Sequence, residues 1–183
     1  NLTVIRIPGL TPSYELYSDA GVMMDIWTRL DVHSAPVGVS AWQLIEILAG
    51  MPHITEATTE QYVPQMINYQ SIGGLSFTKG CYPGQEIVAR MHYLGKLKKR
   101  MYLARVKSDD PPAIQQELLS SKSSAASKSG NVLNAALHPD GYYAVLAVIQ
   151  ISDAESEQIH LGTIDGPTLE LQELPYPVEF KQQ

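Results

Sequence analysis

Asn131-Val132-Leu133-Asn134-Ala135-Ala136-Leu137-His138-Pro139-Asp140-Gly141-Tyr142-Tyr143-Ala144-Val145-Leu146-Ala147-Val148-Ile149-Gln150-Ile151 reads as two strands joined by a tight turn. The apolar and β-branched residues favour extended backbone, and the Pro-Asp-Gly sequence supplies turn chemistry. Strands are therefore predicted over 131–137 and 142–151. Further short strands are predicted over 159–164, 168–174 and 177–180. Together they suggest a small antiparallel β-barrel or sandwich. The segment 120–129, with six serines in ten residues, is expected to be a flexible loop.

Working back from this hairpin, the composition changes. Residues 2–7 read as a strand ended by Pro8-Gly9, and 13–18 as a second strand. Asp19 is placed to cap a helix in which Val22, Met23, Ile26, Trp27 and Leu30 fall at helical spacing, Trp27 being assigned to the core. Ser40 is placed to cap a second helix, stopped by Gly50 and Pro52. A short strand is expected over 72–77, a helix over 85–93 ended by Gly95, and a strand over 101–106. This order predicts an α+β domain over 1–96 and a C-terminal β-barrel domain over 97–183.

The bulk figures bound the function. A hydrophobic fraction of 44% with 17% charged residues is ordinary for a soluble globular protein. The apolar run from Tyr142 to Ile149 is far short of the roughly 20 residues of a membrane-spanning helix, so no membrane contact is expected. The opening residues do not form a signal peptide, and the single cysteine fits a reducing cytoplasm. The chain opens at Asn1 directly into a strand, as expected for part of a longer protein. Net charge is −6, yet between Lys79 and Lys107 stand eight basic side chains against Glu86 alone. That stretch is either a solvated face or a landing site for an anion, such as a polyglutamate tail, a phosphate or an RNA backbone. The overall acidity argues against a dedicated nucleic-acid-binding domain.

The only cysteine lies in Lys79-Gly80-Cys81-Tyr82-Pro83-Gly84-Gln85-Glu86, just before the helix over 85–93. Helix N–H groups and the Lys79 ammonium are the surroundings of a reactive thiol. Gly80 and Gly84 permit a tight turn and close approach by another molecule. The five histidines are scattered and make no metal-ligand spacing, so no metal site is assigned. Neither a nucleophile elbow nor a phosphate-binding glycine loop nor a dinucleotide fingerprint is present.

The run from Gly73-Gly74-Leu75-Ser76-Phe77-Thr78 through the cysteine motif to Ile87-Val88-Ala89-Arg90 resembles the signature of the YgfZ family. Glu60-Gln61-Tyr62-Val63-Pro64-Gln65, Asn68, Ala49-Gly50-Met51-Pro52 and Leu174-Pro175-Tyr176-Pro177 resemble it too. The resemblance is dense over 42–106 and thin beyond. It implies the second half of a glycine-cleavage T-protein-like (aminomethyltransferase folate-binding) body, lacking its N-terminal half, followed by a small C-terminal antiparallel β-barrel. It implies a folate-binding accessory protein that assists iron–sulfur cluster assembly or repair and, through it, tRNA modification.

On that resemblance Cys81 is the reactive thiol. Trp42 matches a tryptophan that lies beside the folate. Lys79, Gly80, Gly84, Gln85 and Arg90 are the other expected contacts. Tetrahydrofolate, with or without a polyglutamate tail, is the implied cofactor, and an iron–sulfur cluster is at most transient cargo. Iron–sulfur client or assembly proteins are the implied partners. Glycine-cleavage T-proteins carry a pterin-binding glutamate where this chain has Leu48, which speaks against the alternative of a tetrahydrofolate-dependent one-carbon transferase. The other alternative is an RNA-contacting module acting through the basic stretch 96–107.

Overall fold

The computed structural model of the protein describes residues 1–7, 12–121, 127–156 and 158–178. Strands β1 (Thr3–Ile7) and β2 (Ser13–Tyr17) form an antiparallel two-stranded ribbon. Helices α1 (Ala20–Asp31) and α2 (Val39–Leu48) follow, then two 3₁₀ turns (Glu56–Thr58 and Pro64–Ile67) and α3 (Gln85–Leu94). The remainder is β3 (Lys99–Val106), β4 (Glu117–Ser120), β5 (Ser127–Leu137), β6 (Tyr143–Gln150), a short α4 (Ile151–Ser156), β7 (Ile159–Leu161) and β8 (Glu170–Gln172).

The last six strands make one curled antiparallel sheet in the order β7-β4-β5-β6-β3-β8. The opening hairpin is present, with Gly141 at φ +81° in the turn. The barrel expected from the sequence is a half-barrel. Its two margins are tied at one end by Leu161 N–H to the Pro167 carbonyl (2.9 Å) and Leu169 N–H to the Ile159 carbonyl (2.8 Å).

β6 explains why its sequence is almost continuously apolar: it is buried on both faces. Val145, Ala147 and Ile149 point into the curl with Val106, Leu118, Val132, Ile159 and Leu169. Ala144, Leu146 and Val148 point the other way, joining Met101, Leu103 and Leu133 beneath Ile47 of α2 and Ile67 of the second 3₁₀ turn. A bulge between Val132 and Asn134 of β5 shifts the register there. Residues on both sides of position 96 thus share this second core.

Polar side chains lock the helical layer to the sheet. The Asn134 amide grips the His53 backbone twice, accepting from its N–H (2.9 Å) and donating to its carbonyl (3.1 Å). Asn68, fully buried and left-handed at φ 59°, donates from Nδ2 to the Met101 carbonyl (3.0 Å). Buried Gln65 donates from Nε2 to the Val88 carbonyl of α3 (2.7 Å). Gly50, at φ +67°, has no room for a side chain, because Tyr176 and Leu174 pack against it. The Tyr176 hydroxyl donates to the Gly50 carbonyl (2.6 Å), strapping the C-terminal segment across the end of α2.

Several sequence expectations are corrected. No strand forms over 72–77: Gly73 turns at φ +75° and the Gly74 N–H closes on the Tyr69 carbonyl (2.7 Å). α2 begins one residue before Ser40, with Gly38 as its cap. Asp19 does cap α1, accepting from Val22 N–H (3.1 Å). Trp27 is not core; it is 58% exposed, and α1 buries no residue fully, with Val22, Met23 and Ile26 only half-buried. The serine-rich stretch is partly sheet. Ser120 and Ser129 are buried in strands, where strand pairing satisfies the backbone and small side chains fit; 122–126 lie outside the described residues. Ile151 starts a helix rather than ending a strand. The strand expected at 177–180 is absent at 177–178, and both its last two residues and the Pro8-Gly9 break lie outside the described residues.

Candidate functional site

Cys81 is exposed at the crown of the loop that enters α3. The loop is held from inside. The Ser76 hydroxyl oxygen accepts from Lys79 N–H (3.2 Å). Gln85 braces the turn from both ends: its N–H donates to the Tyr82 carbonyl (3.2 Å) and its Oε1 accepts from Tyr82 N–H (3.3 Å). The Gln85 side-chain oxygen thus serves the loop's own backbone.

The two glycines beside Cys81 differ. Gly84 caps α3 at φ +82°, a conformation that strains any other residue, so its role is conformational. Gly80 has no left-handed backbone, and a Cβ there would meet nothing within 4 Å. The chain's own packing does not require glycine at position 80. With Cys81 exposed beside it, this part of the loop is open to solvent.

The loop also leans on α3. The Phe77 ring stacks on His92 with centroids 4.0 Å apart and planes inclined 22°, and Tyr93 meets both edge-on. Such contacts contribute about 0.5–1.5 kcal/mol each beyond burial. This aromatic trio was not among the sequence candidates. Its only signal was the density of aromatic residues interleaved with cations between 77 and 98, since the stacking partners are far apart in the chain.

The cations do not form one stretch. Lys79 lies over the Tyr82 ring (4.7 Å). Arg105 pairs with Glu170 (2.6 Å), and the Arg100 guanidinium lies over Tyr102 (4.7 Å). Arg90 and Lys96 are exposed, and among the described residues Arg90 makes no ion pair with Glu86 one turn away. Trp42 is half-buried on α2 and belongs to neither core, whereas Leu44 and Ile47 of the same helix pack on the sheet. Ile45 and Leu48 are 37% and 38% exposed. Among the described residues no three His, Cys, Asp or Glu side chains gather as a metal site, and no helix is long and apolar enough to cross a membrane.

No protein-family model matches the chain. Curated proteins do. The chain is 32% identical over 174 residues to the tRNA-modifying protein YgfZ of Colwellia psychrerythraea, covering 95% of this chain and 53% of that protein. It is 36% identical over 137 residues to the tRNA-modifying protein YgfZ of Sodalis glossinidius, covering 75% of this chain and 42% of that protein. The chain thus spans about half the length of these relatives, or less.

Proposed function

The chain belongs to the YgfZ family, and from that premise we propose that it is part of an accessory protein of tRNA modification that acts in the cytoplasm. In this reading it binds tetrahydrofolate and uses the Cys81 thiol on an iron–sulfur client or assembly protein. The observation that carries it is the exposed sulfur beside Gly80, a glycine the chain's own packing does not need. An open approach of this kind suits a thiol that meets a second macromolecule, such as a cluster or the cysteine of a client.

The residues present fit folate as one wall of a site. The half-exposed Trp42 indole offers a stacking face for a pterin or aminobenzoyl ring, with Ile45 one turn on as an apolar neighbour on α2. Tetrahydrofolate, when bound, is a carrier of one-carbon units. Leu48 has no group to hold a pterin edge, so the reading favours an accessory role over one-carbon transfer. The opposite wall belongs to the T-protein-like first half that this reading assigns to the longer family protein. Lys79 and Arg90 stand on the exposed side of the Cys81 loop and α3, suited to a polyglutamate tail or an acidic client surface.

The test is complementation of a strain lacking the family protein with a family-length version carrying Cys81→Ser. Loss of the modified tRNA with unchanged protein level is expected, and full restoration overturns the thiol role. Tetrahydrofolate titration of the same protein, followed by tryptophan fluorescence, should lose its signal and affinity in Trp42→Ala.

A further inference from the structure

We propose that the exposed face built by Phe77, His92 and Tyr93 with Lys79, Arg90 and Lys96 holds an unpaired stretch of RNA. Tyr93 carries a base on its open ring face, and the three cations take the flanking phosphates. Two observations support this. Phe77 stacks on His92, Tyr93 meets both rings edge-on, and Tyr93 is 60% exposed. An exposed ring braced edge-on by two others can offer its face to one more ring. Next, the cations that flank it in the chain are not paired with carboxylates, although Lys79 lies over the Tyr82 ring. Arg105 and Lys128 of the sheet are paired with Glu170 and Glu117, but Lys79, Arg90 and Lys96 make no ion pair among the described residues. Arg90 and Tyr93 are three residues apart on α3 and so share a face, with Glu86 the only carboxylate on that stripe.

The pairing of an open aromatic ring with cations favours a nucleic acid over an acidic protein surface. Carboxylates need the cations but gain nothing from the ring, whereas every base has a π-face. Single strands are favoured over duplexes because paired bases are already stacked on each other. The choice of RNA among polyanions rests on the proposed link to tRNA modification; the platform itself does not. It shares Lys96 with the basic stretch 96–107 expected from the sequence but leaves out Arg105, which is paired with Glu170, and Arg100, which lies over Tyr102.

The measurement is anisotropy of a labelled single-stranded uridine oligonucleotide with this chain and with the family-length protein, across a salt series. Saturable binding by both is expected. Tyr93→Ala should weaken it about ten-fold, as expected for loss of one stacked base, while Tyr93→Phe, which keeps the ring, stays near wild type. Lys96→Ser should lower the slope of log affinity on log salt by about 0.7. Tyr93→Ala binding as wild type, equal binding of a duplex of the same length, or binding by this chain but not by the family-length protein would each overturn the proposal. None of these readouts uses folate or the Cys81 thiol, so this inference and the proposed function fail separately.

Discussion

Gly50→Ala is the substitution whose cost the structure specifies most fully. Gly50 sits at φ +67°, and moving an alanine into that left-handed well costs about 1–2 kcal/mol. The added Cβ would lie 2.7 Å from Tyr176 Cε1 and 2.9 Å from both Leu174 Cδ2 and the Tyr176 hydroxyl, distances that force the tail away. Releasing the tail breaks the Tyr176 hydrogen bond to the Gly50 carbonyl, with a net contribution of about 0.5–1.5 kcal/mol. It also uncovers part of two apolar side chains, which at about 25 cal/mol per Å² adds on the order of 1–2 kcal/mol. The expected loss is therefore about 3–5 kcal/mol, read as a lower midpoint in urea unfolding at unchanged slope. A double-mutant cycle separates the parts. In a Tyr176→Ala background the clash and the hydrogen bond are already gone, so Gly50→Ala should cost only the backbone strain and whatever contact with Leu174 remains. If Gly50→Ala costs the same in both backgrounds, the tail does not strap this turn and the reasoning is wrong.

The two loop glycines should behave oppositely. Gly80→Ala should leave the unfolding midpoint within experimental error yet slow alkylation of Cys81 by a bulky maleimide, because a Cβ there meets open space in the chain. Gly84→Ala should cost about 1–2 kcal/mol in the same unfolding assay, since its φ is +82°. Burial raises both the Tyr62 and Tyr176 hydroxyls above the ordinary value of 10, against smaller opposing contributions from Gln115 and Asn68 respectively. The folded chain thus keeps protons that the unfolded chain loses. Stability from these groups is full below pH 10 and falls as pH rises beyond it, and Tyr176→Phe should flatten that fall. Removing the exposed Arg105–Glu170 pair by Glu170→Gln should change stability by no more than about 1 kcal/mol, and less at high salt.

How much of this was legible in the sequence depended on how local the cause was. The hairpin around Asp140-Gly141 and the Asp19 cap were readable because turn and cap chemistry act over a few residues. The exposed cysteine was readable from its glycines. Ser120 and Ser129 misled because composition marks flexible segments, whereas the sheet needs small side chains where its strands crowd. Gly130 shows the same crowding: a Cβ there would fall 2.0 Å from the Val148 carbonyl oxygen. Trp27 misled in the other direction, since helical spacing of apolar residues reports a face to be covered but not what covers it. The Tyr176–Gly50 strap joins residues 126 apart and the Phe77–His92 stack brings a loop onto a helix; no local pattern encodes either.

The two-faced burial of β6 has a consequence for how the molecule comes apart. A wall common to two rooms cannot be pulled down from one side only. Loosening the packing under α2 removes one lining of the strand that also floors the curl, so both compartments should melt in a single step, with amides of Val145 to Ile149 among the last to exchange with solvent. The ribbon and first helix share no such partition and should exchange early, independently of that step.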